Sequence, residues 1–176
     1  PLRFEPVRTA TGRTPGGGRI RGIDLPGVKP CWTLADARRI MGLAVKGARV
    51  LQMGAGFIGC IILEALAARG VRLSVVEMGD RMVPRMMGPT AGGMIKEWCE
   101  KKGVQVFTGT RVEAIEAGSP MSVRLSNGQQ LAADLVISAT GVKPTIGFLE
   151  HSGITCLQGI LTDEHMQTNV PGIYAA

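Results

Sequence analysis

Three glycines at a fixed spacing, Gly54-x-Gly56-x-x-Gly59, and an acid 18 residues after the last of them, Glu77, are the residues of this chain that could do chemistry together. Each suits one task in holding a dinucleotide. Gly54 permits a tight turn from a strand into a helix. Gly56 has no Cβ, so the backbone can come close to a pyrophosphate. Gly59 lets the helix pack on the sheet. The helix opens at Phe57 and Ile58, and its first turn offers unpaired N–H groups and the positive end of the dipole to a phosphate. Glu77 stands where a carboxylate accepts both hydroxyls of an adenosine ribose. That acid favours NAD over NADP, because a carboxylate repels a 2′-phosphate. Arg81 lies close enough in sequence to stack on adenine or to reach a phosphate.

Those residues need particular elements to hold them. Residues 48–53 (ARVLQM) are an apolar run of strand length, 57–69 have helical length and spacing and stop at Gly70, and 71–77 (VRLSVVE) form a second strand. A helix is expected over 90–102, closed by Gly103, and a third strand over 104–107. The rhythm then turns all-β. RVEAIEA and SVRLS alternate apolar and polar residues, and Asn127-Gly128 makes a tight turn into QQLAADL. Residues 135–138 are a continuous apolar strand suited to a buried sheet. Upstream, Thr33 caps a helix through LADARRI, with Asp36 at its third position as in a capping box. The first thirty residues read as extended and loop-like, broken by Pro1, Pro6, Pro15, Pro26, Pro30 and Gly16-Gly17-Gly18. The tail is expected to hold a short helix over 146–151 and a strand over 160–162. The fold class is α/β: a Rossmann-like βαβ unit with a parallel sheet and an inserted antiparallel β-meander.

Composition narrows the function. With 176 residues, 45% hydrophobic and 19% charged, the chain can bury a core and is not a disordered one. Its most apolar window, 57–68, contains Glu64 and is too short to span a bilayer. No signal peptide is recognisable and a cytoplasmic location is expected; the opening proline is read as a trimmed start. The net charge of +6 sits mostly in residues 1–30, which carry six Lys/Arg against two acids. With 4% aromatics and no long basic run, the chain does not read as a nucleic-acid binder. Cysteines at 31, 60, 99 and 156 make no CxxC pair, and two histidines, His151 and His165, do not complete a metal set, so the thiols are read as reduced and structural. Two other readings of the glycine turn stay open: an ordinary βα turn, and a methyltransferase. The three-glycine spacing and the meander weigh against the latter.

RTATGRTP, LPGV followed by TLADARRI, GAGFIG followed by VVEMGDRMVPRM, SNGQQLAADLVISATGVKP and TNVPGIYAA together span nearly the whole chain. In this order they resemble the FAD-dependent pyridine nucleotide-disulfide oxidoreductases, most of all the branch with NADH-dependent nitrite, ferredoxin and rubredoxin reductases and NADH oxidases. The resemblance implies an NAD-binding domain over 33–144, inserted into an FAD domain whose pieces are 1–32 and 145–176. It places Thr11 and Gly12 in the first Ala-Thr-Gly turn of the FAD domain. It places Gly141, in the second such turn, near the nicotinamide half of NAD. It implies hydride transfer from NADH to FAD and on to an electron acceptor that the chain does not identify, with the flavin doing the chemistry and no catalytic acid, base or nucleophile here. By the same resemblance, the N-terminal FAD pyrophosphate motif and the Gly-Asp after Ala176 are missing. The chain then reads as an excised NAD-binding domain, inactive alone, whose partners are NADH and the missing FAD and C-terminal domains. A non-catalytic dinucleotide-binding module is the second reading. One departure stands out: many relatives carry glutamate two residues after the third glycine, where this chain has Ile61. The nearest acid, Glu64, reads as a helix-surface residue, and both histidines as structural.

Overall fold

The computed structural model describes residues 5–16 and 20–176. The breaks expected at Pro1, Gly17 and Gly18 lie outside them. In chain order the elements are β1 (Val7–Thr9), β2 (Arg13–Pro15), β3 (Val28–Pro30), α1 (Leu34–Leu43), β4 (Arg49–Met53), α2 (Phe57–Ala68), β5 (Arg72–Val76), α3 (Pro89–Lys101), β6 (Gln105–Phe107), β7 (Val112–Glu116), β8 (Met121–Leu125), β9 (Gln130–Ala133), β10 (Leu135–Ser138), β11 (Val142–Pro144) and β12 (Ile173–Ala175). They fall into two compact units, one of Gly17–Gly141 and one of Pro1–Gly16 with Val142–Ala176.

The larger unit is built on a five-stranded parallel sheet of order β3-β10-β4-β5-β6. The central strands are near-continuous apolar runs because both of their faces are covered. Val50, Val75 and Ile137 point to one face, where Ile40, Leu63, Leu66 and Cys99 of the three helices close over them. Leu51, Met53, Val76 and Val136 point to the other, where Ile115, Val123 and Leu125 of the meander β7-β8-β9 cover them. Full burial of a side chain such as Leu51 or Val123 contributes about 1.5–3 kcal/mol. The layers are thus helices, parallel sheet and antiparallel meander, as the sequence pattern predicts.

Local signals act as expected at several ends. The Thr33 hydroxyl accepts from Asp36 N–H at 3.1 Å and the Asp36 carboxylate accepts from Thr33 N–H at 2.9 Å, a complete capping box for α1. The bond from the Thr33 backbone, reinforced by the Thr33 hydroxyl, holds the Asp36 carboxyl below its ordinary range. Gly128 takes φ 84° in the turn between β8 and β9, with its N–H on Leu125 O.

The structure departs from the sequence reading at the flanks. The larger unit begins well before residue 33, because β3 joins the sheet as a neighbour of β10, with Val28 opposite Val136, and Val28 is buried. Three residues bounded by prolines show no period. Pro30 is tolerated because it ends an edge strand. The larger unit also closes at Gly141, and β11 pairs antiparallel with β2 in the smaller unit. There β1 and β12 form a second, parallel pair. The helix expected over 146–151 is a single 3-10 turn, Gly147–Leu149, followed by His151 at φ 66°. No strand forms over 160–162; Ile160 makes only an isolated bridge to Cys156. Among the described residues no helix is long and apolar enough to cross a membrane.

Candidate functional site

The C-terminal ends of β4, β5 and β10 meet at the glycine turn. Gly54 has φ 95° and donates its N–H to Val76 O at 2.8 Å. A Cβ at Gly54 would overlap the carbonyl oxygen of Ala139, which follows β10. Gly54 is therefore required twice, by conformation and by close approach. Gly59 is required once: a Cβ there would press on Gly54 O and on Gln52 Nε2. Gly56 differs from both. Its backbone is extended, at φ −74° and ψ −170°, and an added Cβ would meet nothing within 4 Å.

Each backbone group in the turn has a defined direction. Ala55 N–H donates to Glu77 Oε2 at 2.7 Å, and Ala55 O accepts from Val83 N–H at 2.8 Å. In a trans peptide the N–H and C=O point in opposite directions, so fixing Ala55 O on Val83 turns Gly56 N–H away from it. The first helical bond of α2 runs from Cys60 N–H to Gly56 O. The N–H groups of Phe57, Ile58 and Gly59 consequently have no acceptor within the helix, and they carry its positive end.

Glu77 lies directly after β5 and is 9% exposed. Its Oε1 accepts from Gly79 N–H and its Oε2 from Ala55 N–H, both at 2.7 Å. An ionised carboxylate has about four acceptor directions, so each oxygen keeps one beyond these bonds.

Arg81 is spent inside the protein. Its Nη1 donates to both oxygens of Asp80 at 2.9 and 2.8 Å, and its Nε donates to Met87 O at 2.9 Å. Its stem packs where a Cβ on Gly92, in the first turn of α3, would collide with it. The guanidinium that spacing left open to adenine or phosphate is thus tied to its own loop.

Gly141 ends the larger unit at φ 104°, two residues beyond the Ala139 carbonyl that approaches Gly54. Thr11 and Gly12 lie in the smaller unit, both exposed. Thr11 Oγ1 donates to Thr145 O, and Thr145 N–H donates to Gly12 O, each at 3.0 Å. Phe57 and Ile61 are 61% and 60% exposed on the outer side of α2, and Glu64 is exposed on the same helix. Cys60 sits in the first turns of α2, where a thiol can become a nucleophile, but burial pushes it up to about 11.

Two participants carry no obvious sequence signal. Val83 adopts φ 49°, a genuine outlier for a β-branched residue, and is held there by its N–H on Ala55 O and by the Met86 and Met87 amides on its own carbonyl. Gln52 is fully buried at the end of β4, with Nε2 donating to Gly54 O at 2.9 Å and to Gly59 O at 3.0 Å. Its one trace in the sequence is an amide inside an otherwise apolar run.

The chain as a whole has known relatives. Residues 9–176 match the family described as Pyridine nucleotide-disulphide oxidoreductase, and the chain belongs to that family. It is 35% identical over 176 residues to the NADH-dependent phenylglyoxylate dehydrogenase subunit epsilon of Aromatoleum evansii, covering 98% of this chain and 41% of that one. Among solved structures it is similar to an NAD-dependent persulfide reductase from A. fulgidus, with TM-score 0.88 and 34% identity over 99% of this chain and 33% of the other. It is also similar to an FAD-dependent pyridine nucleotide-disulphide oxidoreductase from Desulfovibrio vulgaris, with TM-score 0.81 and 30% identity over 99% of this chain and 46% of the other. The family is one of NAD(P)H-dependent flavoprotein oxidoreductases, and the chain spans less than half the length of these relatives.

Proposed function

We propose that the Gly54–Gly59 turn binds NAD(H), and that the protein to which this chain belongs passes hydride from NADH to FAD and on to an electron acceptor. The observation that carries the reading is Gly56. The protein's own packing accounts for Gly54 and Gly59, but nothing in the protein requires a glycine between them. Space kept clear beside unpaired N–H groups at a helix N-terminus fits a pyrophosphate. The free acceptor directions of Glu77 fit the hydroxyls of an adenosine ribose.

Bound there, the dinucleotide supplies the hydride. The chain's own part is to hold and orient it, with Gly141 in the turn beside Gly54 toward the nicotinamide half. The larger unit is then the NAD-binding domain, and the smaller unit, with Thr11 and Gly12, belongs to the FAD domain. The names of the relatives, which specify NADH, NAD and FAD, support this assignment. NADH is preferred to NADPH for two reasons. The Glu77 carboxylate repels a 2′-phosphate, and Arg81 is engaged with Asp80 and Met87.

Calorimetry with both coenzymes tests the proposal. NADH should bind more tightly than NADPH. Glu77→Ala should cost NADH about 1–3 kcal/mol, the scale of a hydrogen bond to a charged group. Gly56→Val should abolish binding while circular dichroism and melting temperature stay close to the parent's, since the added side chain meets open space in the protein itself. Tighter NADPH binding, or retained affinity in Gly56→Val, overturns the reading.

A further inference from the structure

We propose that Gln52 is a positioning residue for the dinucleotide: its side-chain amide locks the first peptide plane of the glycine turn and so aims the N–H groups that follow. The proposal rests on the reading that NAD(H) binds at this turn.

Gln52 occupies a position where the fold calls for an apolar side chain. It pairs across the sheet with Val75 on one side and Ile137 on the other, and its face of the sheet is otherwise lined by residues such as Val50, Leu73 and Leu135. It is 0% exposed, and its Oε1 is the only buried side-chain polar atom without a partner among the described residues. A buried amide with one half unsatisfied is unfavourable for stability and calls for a reason. The reason lies at its other end. Nε2 sits between Gly54 O and Gly59 O, in the crevice that Gly59 leaves by having no Cβ. The reverse amide orientation would set Oε1 against two carbonyl oxygens, so the donor must face the turn.

The bond to Gly54 O gives Gln52 its leverage. That oxygen and Ala55 N–H belong to one planar peptide. Gln52 holds its oxygen end and Glu77 holds its N–H end. The next plane is fixed by Val83 on Ala55 O. Two successive planes are therefore set from inside the protein, and the N–H groups from Gly56 onward inherit their direction. With the Gln52 donor gone, the first plane is tethered at one end only. Glu77 keeps its separate bond to Gly79, so the ribose acid stays in place.

This separation defines the test. Gln52→Met keeps length and apolar stem but removes the donor. Titrations on the 176-residue chain with NADH, ADP and adenosine should show NADH and ADP weakened about tenfold, the effect of one lost hydrogen bond of ordinary strength, and adenosine within twofold of the parent. A merely structural role would weaken all three alike, and that result overturns the proposal, as does unchanged ADP affinity. If the parent chain itself binds neither NADH nor ADP, it is the NAD(H) reading that falls. If Gln52→Met does not fold, the parent chain still decides by NMR. The Gln52 side-chain amide protons should exchange slowly with solvent and should shift when ADP is added but not when adenosine is. Fast exchange, or an equal shift with adenosine, overturns the assignment.

Discussion

The tripeptide Ala-Thr-Gly occurs twice in this chain, at residues 10–12 and 139–141, and the two copies sit in different surroundings. Both end on a glycine in the left-handed region, at φ 69° and 104°, and a Cβ on either glycine would meet nothing within 4 Å. The first copy follows a three-residue strand and is exposed throughout, tied down by the reciprocal bonds between Thr11, Gly12 and Thr145. The second follows β10, whose Leu135, Val136 and Ile137 are wholly buried. Ala139 donates to Met53 O at 2.8 Å, and its carbonyl fills the space where Gly54 would carry a side chain. The same three residues therefore end on a left-handed glycine in both places. The strand that delivers each turn decides what it presses against.

The largest effect expected from this contrast is at Gly54. Gly54→Ala forces an L-residue to φ 95° and drives a Cβ into the Ala139 carbonyl, so it should lower the unfolding free energy by about 3 kcal/mol or more. Urea denaturation measures this, and a loss below about 1 kcal/mol would mean that the second turn yields easily, like an exposed loop. A smaller effect separates the two copies directly. Gly12→Ala and Gly141→Ala meet no steric obstacle, so each should cost about 1–2 kcal/mol of stability for its left-handed conformation alone. Only Gly141→Ala should also weaken NADH. Equal NADH affinity in the two variants would erase the functional distinction between the turns.

The smallest effect concerns how β10 is anchored at its start. Asp134, just before that strand, accepts from the Arg49 side chain at 2.7 and 3.0 Å and from Arg49 N–H at 2.8 Å, and the side-chain bonds lead in lowering its carboxyl to about 2. The pair is well exposed, so Asp134→Asn should cost less than about 1 kcal/mol at neutral pH. An unfolded aspartate titrates near 3.9. Because the folded value is lower, the stabilisation is complete above about pH 4 and is lost as the pH falls through about 2. Denaturation of parent and variant across that range should show their difference shrinking toward zero. A difference that stays constant would assign the effect to packing, not charge.

The alternating or continuous apolar segments were legible in the sequence. β4, α2, β5, α3, the meander and β10 each carry enough residues to show a period, and Asn127-Gly128 marks its turn by type. β1, β2, β3 and β11 have three residues each, too few for any period, and all four contain or border a proline. They form because neighbouring strands present edges to them, which is tertiary information. At the site, the glycines and Glu77 could be read because their spacing is itself the signal. Val83 could not, since its left-handed conformation is held by bonds formed in the fold, its amide on the Ala55 carbonyl and the Met86 and Met87 amides on its own. Arg81 was legible as a charge but not as a partner of Asp80, its neighbour in sequence.

The short strand β3 has a practical consequence. A chain trimmed to residue 33, where the helical pattern starts, would lose the strand that covers β10 along Val136, Ile137 and Ser138. It would also lose the bond from Val136 N–H to Gly27 O. What remains is an apolar strand with a row of unpaired donors and acceptors facing solvent, a template for any similar strand on another molecule. The residues just ahead of the first helix thus cover the edge of β10, and a chain trimmed to residue 33 should self-associate through that edge more than the 176-residue chain, which sedimentation of the two would measure.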